Sequence, residues 1–164
     1  KQLISSIYNE FKRLDGLVNA ACEMGIVGPI GSQDGSVWQK TLQVNLNSAA
    51  LLSKVCLPLL HQSKQASISF ISDSSARQSN AYWGAYGVSK VALESFSTML
   101  ADELDASTVV SNVFIPGPSI LPIRKKTHPG EEDSRLSSSS DLANSLVNVI
   151  LTKESGQFFS HQED

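Results

Sequence analysis

The sequence predicts a single α/β domain in which a parallel β-sheet is covered by helices on both faces. Two observations lead to this prediction. Short β-prone runs alternate along the chain with longer segments of helical periodicity. The length of 164 residues, with 41% hydrophobic and 18% charged residues, suits one globular domain with a sizeable core.

The first half of the chain begins with a helix and a strand. Apolar residues recur at helical spacing over residues 3–11, which predicts an amphipathic helix, and Leu17 with Val18 predicts a short buried strand. Glycines and a proline between residues 25 and 35 predict a loop. The apolar pattern of residues 37–60 then predicts a long helix or a helix pair, which Pro58 should kink or weaken.

The middle of the chain predicts a strand, a helix and a second strand. Residues 67–72 form a β-prone run between polar stretches, and we expect them to be a central strand. Apolar residues at three- and four-residue steps predict a second long helix over residues 83–104. The β-branched run of residues 109–115 predicts another strand, which Pro116 ends.

The last third of the chain is less regular. Residues 118–140 contain three prolines and clusters of both charges, so we expect a mobile segment without secure elements, in the position of a substrate loop. Asp141 is expected to cap a helix over residues 142–151. Phe158 and Phe159 indicate a last short strand.

Charge and composition argue against several classes of partner. The net charge of −3 gives no basic surface for nucleic acid, and no apolar run is long enough for a membrane span. Cys22 and Cys56 are too few for a disulfide framework, which favours a reducing cytoplasm. His61, His128 and His161 lack metal-ligand spacing, so we expect no metal. A small-molecule partner fits best.

Tyr86 and Lys90 form the pair with the clearest chemical meaning. Four residues apart near the start of a helix, they share one face. An ammonium within about 4–6 Å favours the phenolate and lowers the phenol pKa, which makes a proton donor and acceptor. The carboxyl ends of parallel strands, where ligands bind, deliver Asp73 and Pro116-Gly117 to the same edge.

The order of these features resembles that of the short-chain dehydrogenase/reductase family over nearly the whole chain. The matching motifs are, in order, Asn19-Ala20-Ala21-Cys22 for an NNAG-like motif, Asn45 in a V-N-x-x motif, Tyr86 and Lys90 for YxxxK, and Pro116-Gly117 for a PG motif. The resemblance implies a Rossmann-like, doubly wound parallel sheet in three α/β/α layers, of which this sequence holds the C-terminal two-thirds.

The resemblance also implies hydride transfer between NAD or NADP and a carbonyl or alcohol substrate. Tyr86 would exchange the hydroxyl proton, Lys90 would bind the nicotinamide ribose and lower the tyrosine pKa, and Asn45 would hold a water of a proton relay. Judged without the family, Asn45 is equally well a kink or capping residue. Asn19, Ala20, Ala21, Pro116 and Gly117 would approach the cofactor.

Asp73 departs from the family pattern. It stands thirteen residues before Tyr86, where the family has a serine that donates a hydrogen bond to the substrate oxygen. An ionised carboxylate only accepts hydrogen bonds, and its charge raises the tyrosine pKa. Ser74, in preference to Ser72, is a candidate to replace the missing donor, although strand alternation points both away from residue 73.

The glycine-rich strand-turn-helix unit that holds a pyrophosphate is a second departure, because this sequence does not contain it. The GxxGxxG spacing of residues 25–31 does not match GxGxxG. Cys22 replaces a glycine, and its Cβ would obstruct the cofactor if that backbone needs a positive φ. We expect a portion of a longer dehydrogenase, because omitting half of a parallel sheet exposes an apolar edge. The alternative is a degenerate, weakly active or inactive homologue that serves as an oligomerising or binding protein.

Assembly is the last expectation. The two long apolar helices, near residues 49–60 and 84–104, match those through which the family forms dimers or tetramers, so the resemblance implies a homodimer or homotetramer.

Overall fold

The computed structural model describes residues 2–161, and within them the chain forms one parallel sheet. The strands are β1 (Gly16–Asn19), β2 (Ala66–Ile71), β3 (Val109–Ile115) and β4 (Phe158–Ser160). Their order in the sheet is β1-β2-β3-β4, with each neighbouring pair parallel. The predicted α/β class with a parallel sheet is confirmed.

Helices form most of the connections between these strands. They are α1 (Gln2–Phe11), α2 (Gly35–Leu42), α3 (Ser48–Leu60), α4 (Ser74–Arg77), α5 (Gly84–Glu103), α6 (Pro122–Thr127) and α7 (Ser139–Leu151). One turn of π-helix over Gln43–Asn47 joins α2 to α3, so residues 35–60 form a continuous helical run. It continues through Pro58 and ends two residues later.

The main core lies between the sheet and the helices α3 and α5. Ile68 and Phe70 of β2 are fully buried there, and alternate residues of a strand share a face. Leu60 of α3 and Leu93 of α5 pack in the same cluster. Helix α7 also contacts β2 and β3, with Val149 buried. Parallel strands with such helical connections bury both faces of their sheet.

Two sequence predictions for residues 118–141 need correction. The segment predicted to lack secure elements contains helix α6 and a 3₁₀ turn at Asp133–Arg135. Pro122 begins α6 because its fixed φ suits the first helical turn and its missing N–H costs nothing there. The N-cap of α7 is Ser138 rather than Asp141, because the Ser138 hydroxyl accepts from the Asp141 N–H. The mobility of this segment remains a prediction.

The strand register brings the carboxyl ends of β1, β2 and β3 to one edge. Asn19 of β1 pairs with Phe70 of β2, and Ile71 of β2 pairs with Phe114 of β3. The three segments that follow these strands therefore start side by side. Within residues 2–161, no helix combines the length and apolarity that crossing a membrane requires.

Candidate active site

A cavity opens at the carboxyl edge of the sheet. Its walls come from the segments after β1, β2 and β3, from the first turns of α5, and from α6. The lining residues are Ala20, Cys22, Met24, Ile71, Ser72, Asp73, Ser74, Trp83, Tyr86, Lys90, Pro116, Gly117, Pro118, Ser119, Leu121, Ile123, Arg124 and Thr127. Most of the predicted site residues are among them.

Tyr86 and Asp73 make a direct hydrogen bond inside this cavity. The Tyr86 hydroxyl donates to Asp73 Oδ2 at 2.7 Å. Tyr86 is 4% exposed, and its ring lies 5.5 Å from that of Trp83. The spacing of thirteen residues thus brings these two side chains together, as the family pattern implies for the residue at position 73.

The pKa of Tyr86 is raised in this structure, and the lowering effect expected of Lys90 stays a prediction. Burial is the largest cause, followed by the negative charge of Asp73 and by Cys22. The Lys90 ammonium lies 5.6 Å from the centre of the Tyr86 ring. The raising effect predicted for Asp73 is confirmed.

Lys90 follows Tyr86 by one helical turn and faces the same cavity. It is 3% exposed, and its Nζ donates to the Ile71 carbonyl at 2.8 Å. This bond fixes the ammonium at the end of β2. An ammonium has three donors, so a lysine placed in this way also has the chemistry to bind a hydroxyl group of a ligand.

Ser72 and Ser74 differ in what their positions allow. Ser72 is buried, and its hydroxyl donates to Glu94 Oε1 at 2.5 Å, while Arg77 pairs with the other oxygen at 3.0 Å. Ser74 begins α4 and lines the cavity together with Asp73. The predicted alternation does not extend this far, because β2 ends at Ile71. Ser74 remains the candidate donor.

Asn45 fastens the loop that follows β1. Its Oδ1 accepts from the Glu23 N–H at 2.7 Å, and its Nδ2 donates to the Glu23 carbonyl at 2.9 Å. Nδ2 also donates to Ser89 Oγ at 2.9 Å. Asn45 is 1% exposed within the π-helical turn. These contacts give it a structural role beside the cavity, and its predicted role in a proton relay stays a prediction.

The predicted cofactor residues after β1 divide between two surfaces. Ala20 lines the cavity, whereas Asn19 and Ala21 line a shallow groove against α3, and Ala20 also borders that groove. Asn19 Nδ2 donates to Ser53 Oγ at 3.3 Å. Cys22 lines the cavity beside Tyr86, and its backbone has no positive φ. The condition under which the Cys22 Cβ was expected to obstruct the cofactor, a positive φ at this residue, is therefore not met.

Pro116 and Gly117 form the wall that follows β3. Gly117 has a φ of 67°, a conformation in which a side chain is strained. At Gly117 the backbone thus borders the cavity without a side chain.

Helix α6 supplies residues that the sequence interpretation missed. Arg124 lines the cavity and is held by Glu131, to which its Nε and Nη2 donate at 2.6 and 2.7 Å. The pKa of Arg124 is raised mainly by Glu131, with a contribution from the charge of Asp73. The helical composition after Pro122 was the available signal for this wall.

Trp83 and Met24 also line the cavity without having been predicted. Trp83 stands three residues before Tyr86, so helical spacing was a signal for its position. No signal in the sequence indicated Met24. Its position depends on the preceding residue, Glu23, whose backbone is held by Asn45, 22 residues further along the chain. Residues 2–161 contain no group of three or more His, Cys, Asp or Glu side chains placed to hold a metal ion.

Comparison with known proteins identifies the family of this chain. The family model for short chain dehydrogenase matches residues 1–132. YciK of Escherichia coli K12, an uncharacterized oxidoreductase, is 37% identical over 142 residues. The match covers 87% of this chain and 56% of YciK, so the chain spans about half the length of this relative.

Solved structures of short chain dehydrogenases are similar to this one over nearly the whole chain. A short chain dehydrogenase from Salmonella enterica serovar Typhi has a TM-score of 0.93 at 33% identity, covering 99% of this chain and 68% of that one. A short chain dehydrogenase from Shigella flexneri complexed with NADP has a TM-score of 0.92 at 33% identity, covering 99% and 69%. The chain, with its Tyr86 and Lys90 at the sheet edge, belongs to the short-chain dehydrogenase family.

Proposed function

We propose that this protein is an NAD(P)-dependent oxidoreductase that interconverts a carbonyl and an alcohol. The observation that carries the proposal is the position of Tyr86 and Lys90, one helical turn apart and facing one cavity at the carboxyl edge of the sheet. The names of similar proteins support it, because YciK is an oxidoreductase and the Shigella flexneri structure holds NADP.

The residues present fit the nicotinamide end of such a cofactor. Lys90, Pro116 and Gly117 line one cavity, which supports Lys90 as donor to a ribose hydroxyl and the two others as neighbours of the nicotinamide ring. Asn19, Ala20 and Ala21 are the further candidates at the end of β1. When bound, a reduced nicotinamide supplies the hydride that converts a carbonyl carbon to an alcohol carbon. NADP(H) is the first cofactor to test, because the similar Shigella flexneri structure is complexed with NADP.

The protein's own contribution is the proton. Tyr86 Oη gives its proton to the carbonyl oxygen in reduction and takes one from the alcohol in oxidation. Burial and Asp73 raise the pKa of Tyr86, so the phenol is protonated at neutral pH and stays so above pH 10, where a free phenol ionises. We therefore propose that Tyr86 acts as the acid of a carbonyl reduction. Ser74 lines the same cavity, which supports it as the second donor to the substrate oxygen.

The Asp73–Tyr86 hydrogen bond also favours a second candidate, a binding protein with little or no turnover. The bond engages the phenol proton that the reaction needs. Loss of one donor to a developing oxyanion typically lowers a rate by about 10²–10³. Such a protein would keep the cofactor site and the assembly surface of the family without fast chemistry.

Cofactor titration and one substitution test the proposal. NADPH added to the full-length protein should bind saturably, as followed by nucleotide fluorescence. Tyr86→Phe should leave that affinity within about threefold and lower turnover by roughly 10²–10⁴. Tyr8→Phe, which changes an exposed tyrosine of α1, is the matched control. Binding without turnover in the unmodified protein would favour the second candidate, and unchanged turnover in Tyr86→Phe would reject the role of Tyr86.

We further propose that the protein is a homodimer or homotetramer and works in the cytoplasm. Helix α3 exposes Leu51 and Val55, and α5 exposes Val88, Val91 and Met99, each at 45% or more. Apolar side chains on long helices support assembly with a second copy. Cys22 and Cys56 are free thiols, which supports a reducing compartment.

A further inference from the structure

Asp73 places a carboxylate beside the Tyr86 phenol, which is the proposed proton donor to the substrate oxygen. Its Oδ2 accepts the Tyr86 hydroxyl at 2.7 Å, and both side chains line the same cavity. A carboxylate has acceptor sites and no donor. The oxygen of a simple ketone brought to Tyr86 would therefore meet a negative charge where a second donor is needed.

A hydroxyl group on the neighbouring carbon removes this conflict. The two oxygens then sit on adjacent carbons and can lie side by side. Tyr86 Oη and Asp73 Oδ2 also lie side by side, 2.7 Å apart in a hydrogen bond that the substrate replaces when Tyr86 donates to the reacting oxygen. A substrate can thus place its reacting oxygen at Tyr86 and its neighbouring hydroxyl at Asp73, with each oxygen facing a group of matching hydrogen-bond type.

The other charges of the cavity favour a neutral donor over a cationic one. Lys90 and Arg124 line the cavity, and the charge of Asp73 acts on Arg124. An ammonium group on the substrate would meet these two like charges. A hydroxyl group donates to Asp73 without that repulsion.

We propose, on the basis of the function proposed above, that Asp73 selects substrates with a hydroxyl group next to the reacting carbon. The class is the α-hydroxy ketones, whose reduction yields vicinal diols. In this reduction, a hydride from the reduced nicotinamide adds to the carbonyl carbon and the proton of Tyr86 passes to the oxygen. The neighbouring hydroxyl keeps its proton and donates it in a hydrogen bond to Asp73.

The test compares two ligands that differ only in this hydroxyl group. 3-Hydroxy-2-butanone and 2-butanone are titrated into the full-length protein loaded with NADP⁺, and binding is measured by ligand-observed NMR. A hydrogen bond to a charged group should give the hydroxy ketone an advantage of about tenfold or more. Asp73→Ser should reduce the advantage to less than about threefold, since a neutral hydroxyl replaces the charge. Asp105→Asn, an exposed change near the end of α5, is the control and should keep the full advantage.

Asp73→Asn keeps the size of the side chain and serves if Asp73→Ser fails to fold. Equal binding of the two ligands by the unmodified protein would overturn the proposal, as would failure of both to bind. An advantage that survives in both Asp73 variants would also overturn it. Turnover with NADPH separates this proposal from the function itself: a preference in binding without turnover supports the role of Asp73 and rejects the reductase, whereas turnover without a preference does the reverse.

Discussion

Tyr86 is a buried phenol whose environment favours the protonated state. It is 4% exposed and donates to a carboxylate, and its pKa is raised by burial first and by Asp73 second. The unfolded phenol ionises near pH 10. Above pH 10 and below the raised pKa of the folded state, the folded chain holds a proton that the unfolded chain has released. Tyr86 therefore links stability to pH.

The sign of this linkage gives a prediction for Tyr86→Phe. The raised pKa of Tyr86 contributes stability that is fully present below about pH 10 and is lost as the pH rises further. The unmodified protein should therefore lose stability faster than Tyr86→Phe between pH 10 and 11, by up to roughly tenfold in the unfolding constant per pH unit. Urea unfolding at a series of pH values measures the difference. A difference already changing between pH 7 and 9 would contradict the assignment to Tyr86.

Asn45 is a second residue whose effect is local and testable. Asn45→Ala removes three hydrogen bonds from a buried position and leaves the Glu23 backbone without these partners. We expect the free energy of unfolding to fall by roughly 2–3 kcal/mol. Asn47→Ala removes an exposed bond to Gln43 from the same π-helical turn and should cost less than about 0.5 kcal/mol. Equal losses in the two variants, measured by urea unfolding, would refute the fastening role.

The residue scale also separates what the sequence predicts from what it does not. Tyr86, Lys90 and Asp73 are related by short spacings on adjoining elements, so their meeting was predictable. Glu23 lies in the loop between β1 and α2, and no local sequence pattern indicates that the Asn45 amide forms hydrogen bonds with its backbone. The raised pKa of Tyr86 depends on burial, which spacing alone does not give.

At the scale of elements, the start of α7 illustrates a competition between two capping residues. Ser138 Oγ accepts from the Asp141 N–H at 3.2 Å and donates to Asp141 Oδ2 at 2.7 Å. Ser138 is thus the N-cap, and Asp141 stands at the third helical position. Both residue types cap helices, so the predicted boundary was three residues late although the helix itself was predicted.

Ser138→Ala tests this cap. Loss of the capping hydroxyl should lower the free energy of unfolding by about 1 kcal/mol. Ser140→Ala changes an exposed serine inside the first turn of α7 and should have an effect near zero, because alanine is the better helix former. Thermal unfolding of both variants at pH 7 makes the comparison. A larger loss from Ser140→Ala would place the cap elsewhere.

Helix α6 and the strands show why some elements are easier to predict. β2 and β3 are buried runs of strand-forming residues, and the neighbouring polar stretches mark their ends. Helix α6 is only six residues long, so its pattern covers less than two turns. The ion pair between Arg124 and Glu131 joins it to the following segment, and this tertiary contact compensates for a weak local signal.

At the scale of the whole molecule, the parallel strand order explains how distant residues form one cavity. The segments after β1, β2 and β3 carry Cys22, Asp73 and Gly117, which lie far apart in sequence. Each strand runs in the same direction, so each delivers its following segment to the same edge. The alternation of strands and helices predicted this convergence, whereas the depth and lining of the cavity depend on how α6 folds against it.

The exposed apolar residues of α5 lead to a prediction about assembly. Val88 and Val91 border a broad groove that Trp38 and Trp83 also line, and the two valines are 52% and 45% exposed. Val91→Asp would place a charge in this apolar surface. If two copies meet there, burying an unpaired carboxylate is strongly unfavourable, and the full-length protein should dissociate toward monomers by at least tenfold in the dissociation constant.

Val147→Asp provides the matched control for this experiment. Val147 is a 50% exposed valine of α7, on an element that packs against β2 and β3. This change introduces the same charge in a helix outside the proposed interface, so the oligomer should persist. Sedimentation velocity over a range of protein concentrations measures both variants beside the unmodified protein. A monomeric unmodified protein, or an oligomer unaffected by Val91→Asp, would show that the groove along α5 is not where copies of this chain meet.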